Sequence, residues 1–190
     1  MSRSSWLTGA LLLSTLLPAG ASAQSAQMFS LQFSGLGMYP FGGSMDAVDV
    51  GAGWEAQLRL NPSAFSIGAG VEQTFHKRLT GQDMILLGGF LEPRYVIDVG
   101  SDNAVMYLSG RAALSQVKIK QGGLSATGTG YTINGGGGFL FRLTDRVNLD
   151  AGATLGFKDL GEATIGSFLI DFGTGANAVG RLGLAIGLGS

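Results

Sequence analysis

Three stretches of this chain carry residue types that could do chemistry. Residues 131–146, YTINGGGGFLFRLTDR, hold four consecutive glycines of the kind that cradle phosphate. A P-loop needs G-x-x-x-x-G-K-[ST], because its lysine and hydroxyl hold phosphate and magnesium, and here Gly138 is followed by Phe139, Leu140 and Phe141. A dinucleotide fingerprint needs a third glycine where Leu140 stands, and GTGANAVG at 173–180 is mis-spaced in the same way. Nucleotide binding is excluded on spacing. His76 is the only histidine, so a multi-histidine metal centre is impossible and a catalytic triad has one candidate base. It is followed by Lys77 and Arg78, with no serine two positions on. Asp98, Asp102 and Asn103 have oxygen ligands for calcium, yet in a four-residue GSDN turn they read as ordinary turn formers. The absence of cysteine removes disulfides, thiolate metal sites, a cysteine nucleophile and a lipidated cysteine. No cofactor and no metal is expected.

The remaining charges make sense only through the elements that carry them. From Val48, VDVGAGWEAQLRL alternates apolar residues at even positions with Asp49, Gly51, Gly53, Glu55, Gln57 and Arg59 at odd ones. VNLDAGATLGF, 147–157, does the same, with Asn148, Asp150, Gly152, Thr154 and Gly156 on the polar face. Period two over this length is a strand with two unlike faces. Further strands are expected at 28–39, 65–76, 85–98, 104–117, 130–143 and 178–188, making eight. Strands of about 11 residues, rising about 3.3 Å per residue at a tilt near 45°, span about 25 Å, the height of a membrane barrel's apolar band. The connections NPSA, GSDN and TDR are short, whereas PFGGSMDA, KRLTGQD, KIKQGGLSATGT and 159–177 are long. This asymmetry is that of an outer-membrane barrel with short periplasmic turns. Within 159–177, ATIGSFLIDF is expected to extend strands seven and eight above the membrane.

Alternation does not by itself say which face looks inward, because a soluble barrel alternates as well. A soluble exterior should be about 25–35% charged, but charged residues are only 13% of this chain and its polar faces are mostly Gly, Ser, Thr, Asn and Gln. The polar face therefore suits a lumen. Phase then places Glu55, Arg59, Glu72, Glu92, Arg94, Arg111, Arg142, Asp150 and Arg181 inside, and eight strands leave just enough width for side chains to fill that interior. A GSDN turn that pairs Val99 with Ala104 would set Glu92 opposite Arg111. Phe29, Tyr39, Phe65, Phe75, Tyr95, Tyr131, Phe141 and Phe157 fall near strand ends on the apolar face, where interfacial girdles belong, and Trp54 falls mid-strand against lipid.

The first 23 residues read as a cleaved secretory signal: Arg3, the apolar WLTGALLLSTLL, and Ala21-Ser22-Ala23 as the cleavage site. Residues 24–190 then form one barrel domain. Net charge is -1 with no basic block, so nucleic acid is not an expected partner.

The alternating strands, the GGFLFRLTDR stretch at 137–146 and the VNLDAGATLGF that follows resemble the OmpA-like and OmpX-like outer-membrane β-barrel family. The resemblance covers 28–188 and implies an all-β, eight-stranded antiparallel up-and-down transmembrane barrel. It further implies a bacterial outer membrane with the N-terminus periplasmic, insertion by the barrel assembly machinery, and a monomer among outer-membrane lipids and lipopolysaccharide. The resemblance specifies architecture rather than activity, and the chain is read as a non-enzymatic structural or surface-interaction protein with a largely plugged lumen. Two other readings stay open: a narrow, porin-like small-solute channel, and a lipid-modifying hydrolase using His76 at the outer rim. Otherwise His76 is a rim histidine beside Lys77 and Arg78 near lipopolysaccharide phosphates, and Lys118 and Lys120 at the next loop read as a solvated rim, with a lipopolysaccharide contact as the alternative.

Overall fold

The computed structural model describes residues 27–121, 124–165, 168–171 and 173–189. The signal segment at 1–23 lies outside these residues. Ten strands are described: β1 (Phe29–Phe41), β2 (Gly51–Leu60), β3 (Phe65–Lys77), β4 (Asp83–Ser101), β5 (Ala104–Gln121), β6 (Leu124–Arg142), β7 (Val147–Asp159), β8 (Glu162–Ile165), β9 (Phe168–Asp171) and β10 (Thr174–Leu188). Eight of them close into one antiparallel barrel in the order β1-β10-β7-β6-β5-β4-β3-β2, and β8 pairs only with β9 as a separate ribbon. Closure satisfies the backbone polar groups within the wall, which hydrocarbon surroundings demand.

The strands are staggered. From Gly37, hydrogen-bonded partners run through Ala52, Phe75, Ile85 and Lys118 to Thr127 in one direction, and through Gly180 and Ala153 to Gly137 in the other. The two routes therefore meet β6 ten residues apart. Such a stagger requires strands tilted by about 35–45°, with strong coiling. Coiling brings neighbouring backbones close, and β6 answers with glycine. A Cβ at Gly136 would meet the Ala153 carbonyl oxygen, one at Gly137 that of Tyr107, and one at Gly138 that of Ala151. Gly135, by contrast, has nothing within 4 Å of its missing Cβ.

Several strands run further than alternation indicated. β4, β5 and β6 extend to 83–101, 104–121 and 124–142 because each pairs with its hairpin neighbour beyond the apolar band, where alternation is no longer required. β2 begins at Gly51 rather than Val48, since Val48 makes only an isolated bridge to Arg78 after a 3-10 turn at Gly43–Ala47. The 159–177 stretch extends upward as its own ribbon, β8–β9, rather than as longer seventh and eighth strands. The β4–β5 turn also differs: Ser101, not Val99, pairs with Ala104. Gly100 is at φ 74°, its N–H donates to Asp98 Oδ1 at 2.8 Å, and the resulting irregularity absorbs two residues before Asp98 pairs with Val105.

The barrel is inside out relative to a soluble domain. Among the described residues, buried polar and charged residues outnumber buried hydrophobic ones, while Phe33, Trp54, Leu58, Val71, Leu91, Leu108, Leu114, Ile133, Leu155 and Leu182 all point outward and exposed. An apolar belt of this extent belongs in a bilayer rather than in water. Aromatic side chains flank it: Phe29, Phe65, Tyr95, Phe139 and Phe141 toward the short-turn end, and Tyr39, Phe41, Phe75, Tyr131 and Phe157 toward the long-loop end. Tyr39 stacks on Phe41 and Phe139 on Phe141, with centroids 5.9 and 6.0 Å apart.

Candidate functional site

The interior is built around Glu92 of β4, which has 0% exposure. Four arginines from four other positions converge on it: Arg59 Nη2 at 2.8 Å, Arg94 Nε at 2.6 Å, Arg111 Nη2 at 2.6 Å and Arg181 Nη1 at 2.6 Å. Leu91 pairs with Ala112 and Arg94 with Ser109, a register that leaves Glu92 facing Arg111 despite the irregular turn below. Arg111 also pairs with Glu55 at 2.7 Å and Glu72 at 2.8 Å. Arg94 reaches Asp150 at 2.7 Å, and Asp150 further accepts from Gln32 Nε2 at 2.7 Å and from the Tyr107 hydroxyl at 2.6 Å. Arg181 donates to Tyr107 Oη at 3.0 Å.

The elements explain this convergence. Each of these residues occupies an inward position on its strand, and the staggered ring turns positions far apart in sequence into one layer across the lumen. Arginine suits the task because its planar fork can serve several carboxylates at once. The guanidinium planes also lie on rings: Arg94 stands 4.3 Å from the Tyr107 centroid and Arg111 3.9 Å from that of Phe90. Inward glycines make room. A Cβ at Gly152 would strike the Tyr107 hydroxyl, and one at Gly68 the Gln57 amide oxygen.

Eight of the nine inward charges expected from phase meet in this layer: Glu55, Arg59, Glu72, Glu92, Arg94, Arg111, Asp150 and Arg181. Arg142 stands apart, half-buried at the end of β6 and without an ion pair among the described residues. Tyr107, Gln32 and Gln57 join the network and were not singled out by sequence. Their signal was the same inward phase, applied to uncharged polar side chains. Lys158 was missed because the expected strand stopped at Phe157, and it is 2% exposed on the inner face of β7. Apolar clusters lie beyond the charges on both sides. Val96, Val105, Tyr107 and Leu140 pack toward the short turns, and Met38, Met45, Met84, Leu86, Val117 and Leu160 toward the long loops.

His76 is buried at the long-loop end of β3 rather than displayed on the rim. Nδ1 lies 3.0 Å from the main-chain oxygen of Asp49, and Nε2 lies 3.0 Å from Thr74 Oγ1. A carbonyl oxygen can only accept, so the neutral ring carries its proton on Nδ1 and accepts from the threonine hydroxyl at Nε2. A cleft of about 500 Å³ adjoins it, lined by Asp49, Val50, Phe75, Lys77, Asp83 and Met84 among others. The group orienting the imidazole is main chain, not a carboxylate. Among the described residues no three His, Cys, Asp or Glu side chains are placed to hold a metal ion.

No family model matches the sequence, and no curated protein matches it. Solved structures do resemble the fold. Neisserial surface protein A (NspA) superposes with a TM-score of 0.60 at 15% identity, covering 84% of this chain and 97% of that one. The N-terminal β-barrel domain of Pseudomonas aeruginosa OprF gives 0.49 at 11% identity, covering 83% and 96%. Ail, the attachment invasion locus protein of Yersinia pestis, gives 0.49 at 15% identity, covering 83% and 95%. Closed ring, outward apolar belt and superposition agree that the chain has the fold of the eight-stranded outer-membrane β-barrels.

Proposed function

We propose that this is a non-enzymatic protein of a bacterial outer membrane whose lumen is closed to solutes and whose long-loop end acts at the cell surface. The observation that carries the closed lumen is the layer around Glu92, in which four arginines and four carboxylates cross the interior at ion-pair distances. Eight strands leave little more than side-chain room, and these side chains take it. Glu55, Arg59, Glu72, Glu92, Arg94, Arg111, Asp150 and Arg181 then serve structure, bracing the wall from within. On this reading the purified barrel gives no stepwise conductance in planar bilayers. Regular single-channel steps would establish the small-solute channel instead.

The surface role rests on the architecture of the two ends. β5 and β6 pair as far as Gln121 and Leu124, and β8–β9 stands beside them, so the long-loop end projects much more chain than the short-turn end. β1 begins and β10 ends together at the short-turn end, with Phe29 paired to Leu188, which supports a periplasmic N-terminus after cleavage at Ala23. The chain stands as a monomer among outer-membrane lipids and lipopolysaccharide, inserted by the barrel assembly machinery. Protease added to intact cells should clip the β3–β4 loop at residues 78–82 and leave the short turns untouched. Cleavage only after the outer membrane is opened would reverse the orientation.

The hydrolase reading draws on the Thr74–His76 hydrogen bond. It predicts that His76→Ala abolishes lipid A processing in cells carrying the protein. The burial of both residues favours a structural histidine, for which lipid A profiles are unchanged by the substitution.

A further inference from the structure

The ion pairs around Glu92 join Arg59, Arg94, Arg111 and Arg181 to Glu55, Glu72, Glu92 and Asp150, so four positive groups face four negative ones. Lys158 lies outside this balance. It is buried, and among the described residues it makes neither a hydrogen bond nor an ion pair within 4 Å. Glu72, a carboxylate whose field reaches Lys158, is committed to Arg111. A buried ammonium whose nearest carboxylate is shared with an arginine is costly.

The surroundings of Lys158 are polar but uncharged, unlike the ionic layer, and several of their atoms are unpaired. Across β6–β7, Lys158 pairs in register with Thr132, and both Asn134 on β6 and Asn177 on β10 pair with Gly156, two residues before it. Ser115 on β5 pairs with Gly130, diagonal to Thr132. All five side chains point inward and are buried. Thr132 Oγ1, Ser115 Oγ, Asn134 Oδ1 and Asn177 Oδ1 have no hydrogen-bond partner. Register neighbours stand about 5 Å apart at Cβ and diagonal ones about 7–8 Å, so Thr132 links Lys158 on one side to Ser115 on the other along the inner wall. Gly156 contributes by what it lacks, since a Cβ there would occupy the place of Asn134 Oδ1. Above lies the apolar cluster of Met38, Met45, Met84, Leu86, Val117 and Leu160.

We propose that Lys158, with the hydroxyls of Thr132 and Ser115, forms an internal site for a small monovalent anion of halide size. One ammonium and two hydroxyls supply a single positive charge and few donors, which suits a halide and is too little for a phosphate. Asn177 can add a donor: its amide nitrogen rests 3.7 Å from Met38 Sδ, a weak partner, and its orientation can reverse. Chloride is the natural occupant, and the apolar cluster shields it from the outer solvent.

Bromide is the probe. The protein refolded and crystallised in bromide should show an anomalous scatterer beside Lys158 Nζ. At constant ionic strength in detergent, the unfolding midpoint should be about 2–4 °C higher in bromide than in gluconate, the size expected for modest ligand stabilisation in a chain of this length. In Lys158→Met, which keeps the stem and removes the charge, the scatterer and the bromide advantage should both vanish. Equal midpoints in the two salts with no scatterer beside Nζ would overturn the proposal. So would a scatterer that persists in Lys158→Met, which would mark an adventitious ion only. The wild-type measurements need no variant, so they decide even if the substitution impairs folding.

Discussion

At the scale of residues, Glu92 is the position on which most of the interior depends. Its 0% exposed carboxylate receives Arg59, Arg94, Arg111 and Arg181 within 2.8 Å. Glu92→Gln leaves those guanidinium groups with one carboxylate fewer, and should cost about 3–5 kcal/mol, as removing one partner of a buried pair does. Urea unfolding from lipid vesicles measures it, and an unchanged midpoint would mean the pairs contribute nothing net. Removing Arg111 as well, in Glu92→Leu with Arg111→Met, should cost less than the two single changes together, because an apolar pair replaces a charge left unpaired. Tyr107→Phe deletes the hydroxyl between Asp150 and Arg181 and should cost about 1–3 kcal/mol. That Glu92, Arg111 and Asp150 face inward could be read from phase alone. That Arg181 meets Glu92, 89 residues away, could not, because the meeting depends on the stagger with which the ring closes.

At the scale of elements, β6 shows what each glycine is for. Gly136→Ala puts a methyl against the Ala153 carbonyl oxygen and should destabilise by about 1–3 kcal/mol or more, whereas Gly135→Ala meets open space. The latter should be neutral, or stabilise by up to about 1 kcal/mol by restricting the unfolded chain. Parallel refolding yields for the two variants would separate them; equal losses would refute the close-approach account. Alternation revealed β2 and β7 almost entirely, since one face of each meets lipid and the other polar side chains. It revealed β4 less clearly: Leu86, Phe90 and Val96 point inward, so both faces of that strand are apolar in places and the period is blurred. The paired ends of β5 and β6 near Lys118 and Thr127 were illegible for a different reason, as strand ends above a membrane have no obligation to alternate.

At the scale of the whole molecule, the outward belt fixes where the barrel sits. Leu91, near the middle of β4 and fully outward, faces the hydrocarbon midplane, so Leu91→Arg should cost about 2–4 kcal/mol. Leu79 is also exposed but lies in the β3–β4 loop, and Leu79→Arg should be neutral within error. Folding titrations in vesicles test the pair, and a similar cost at both positions would place the membrane elsewhere. The seam of the barrel joins β1 to β10, pairing Phe29 with Leu188. Every other wall contact joins strands that follow one another directly or, for β7 and β10, across the short β8–β9 ribbon, but this one waits for the whole chain. Until then the partly assembled sheet carries two raw edges whose amide and carbonyl groups hydrocarbon cannot solvate. Folding should therefore be slow, cooperative and sensitive to any catalyst that shelters those edges, with closure of the seam as its committing step.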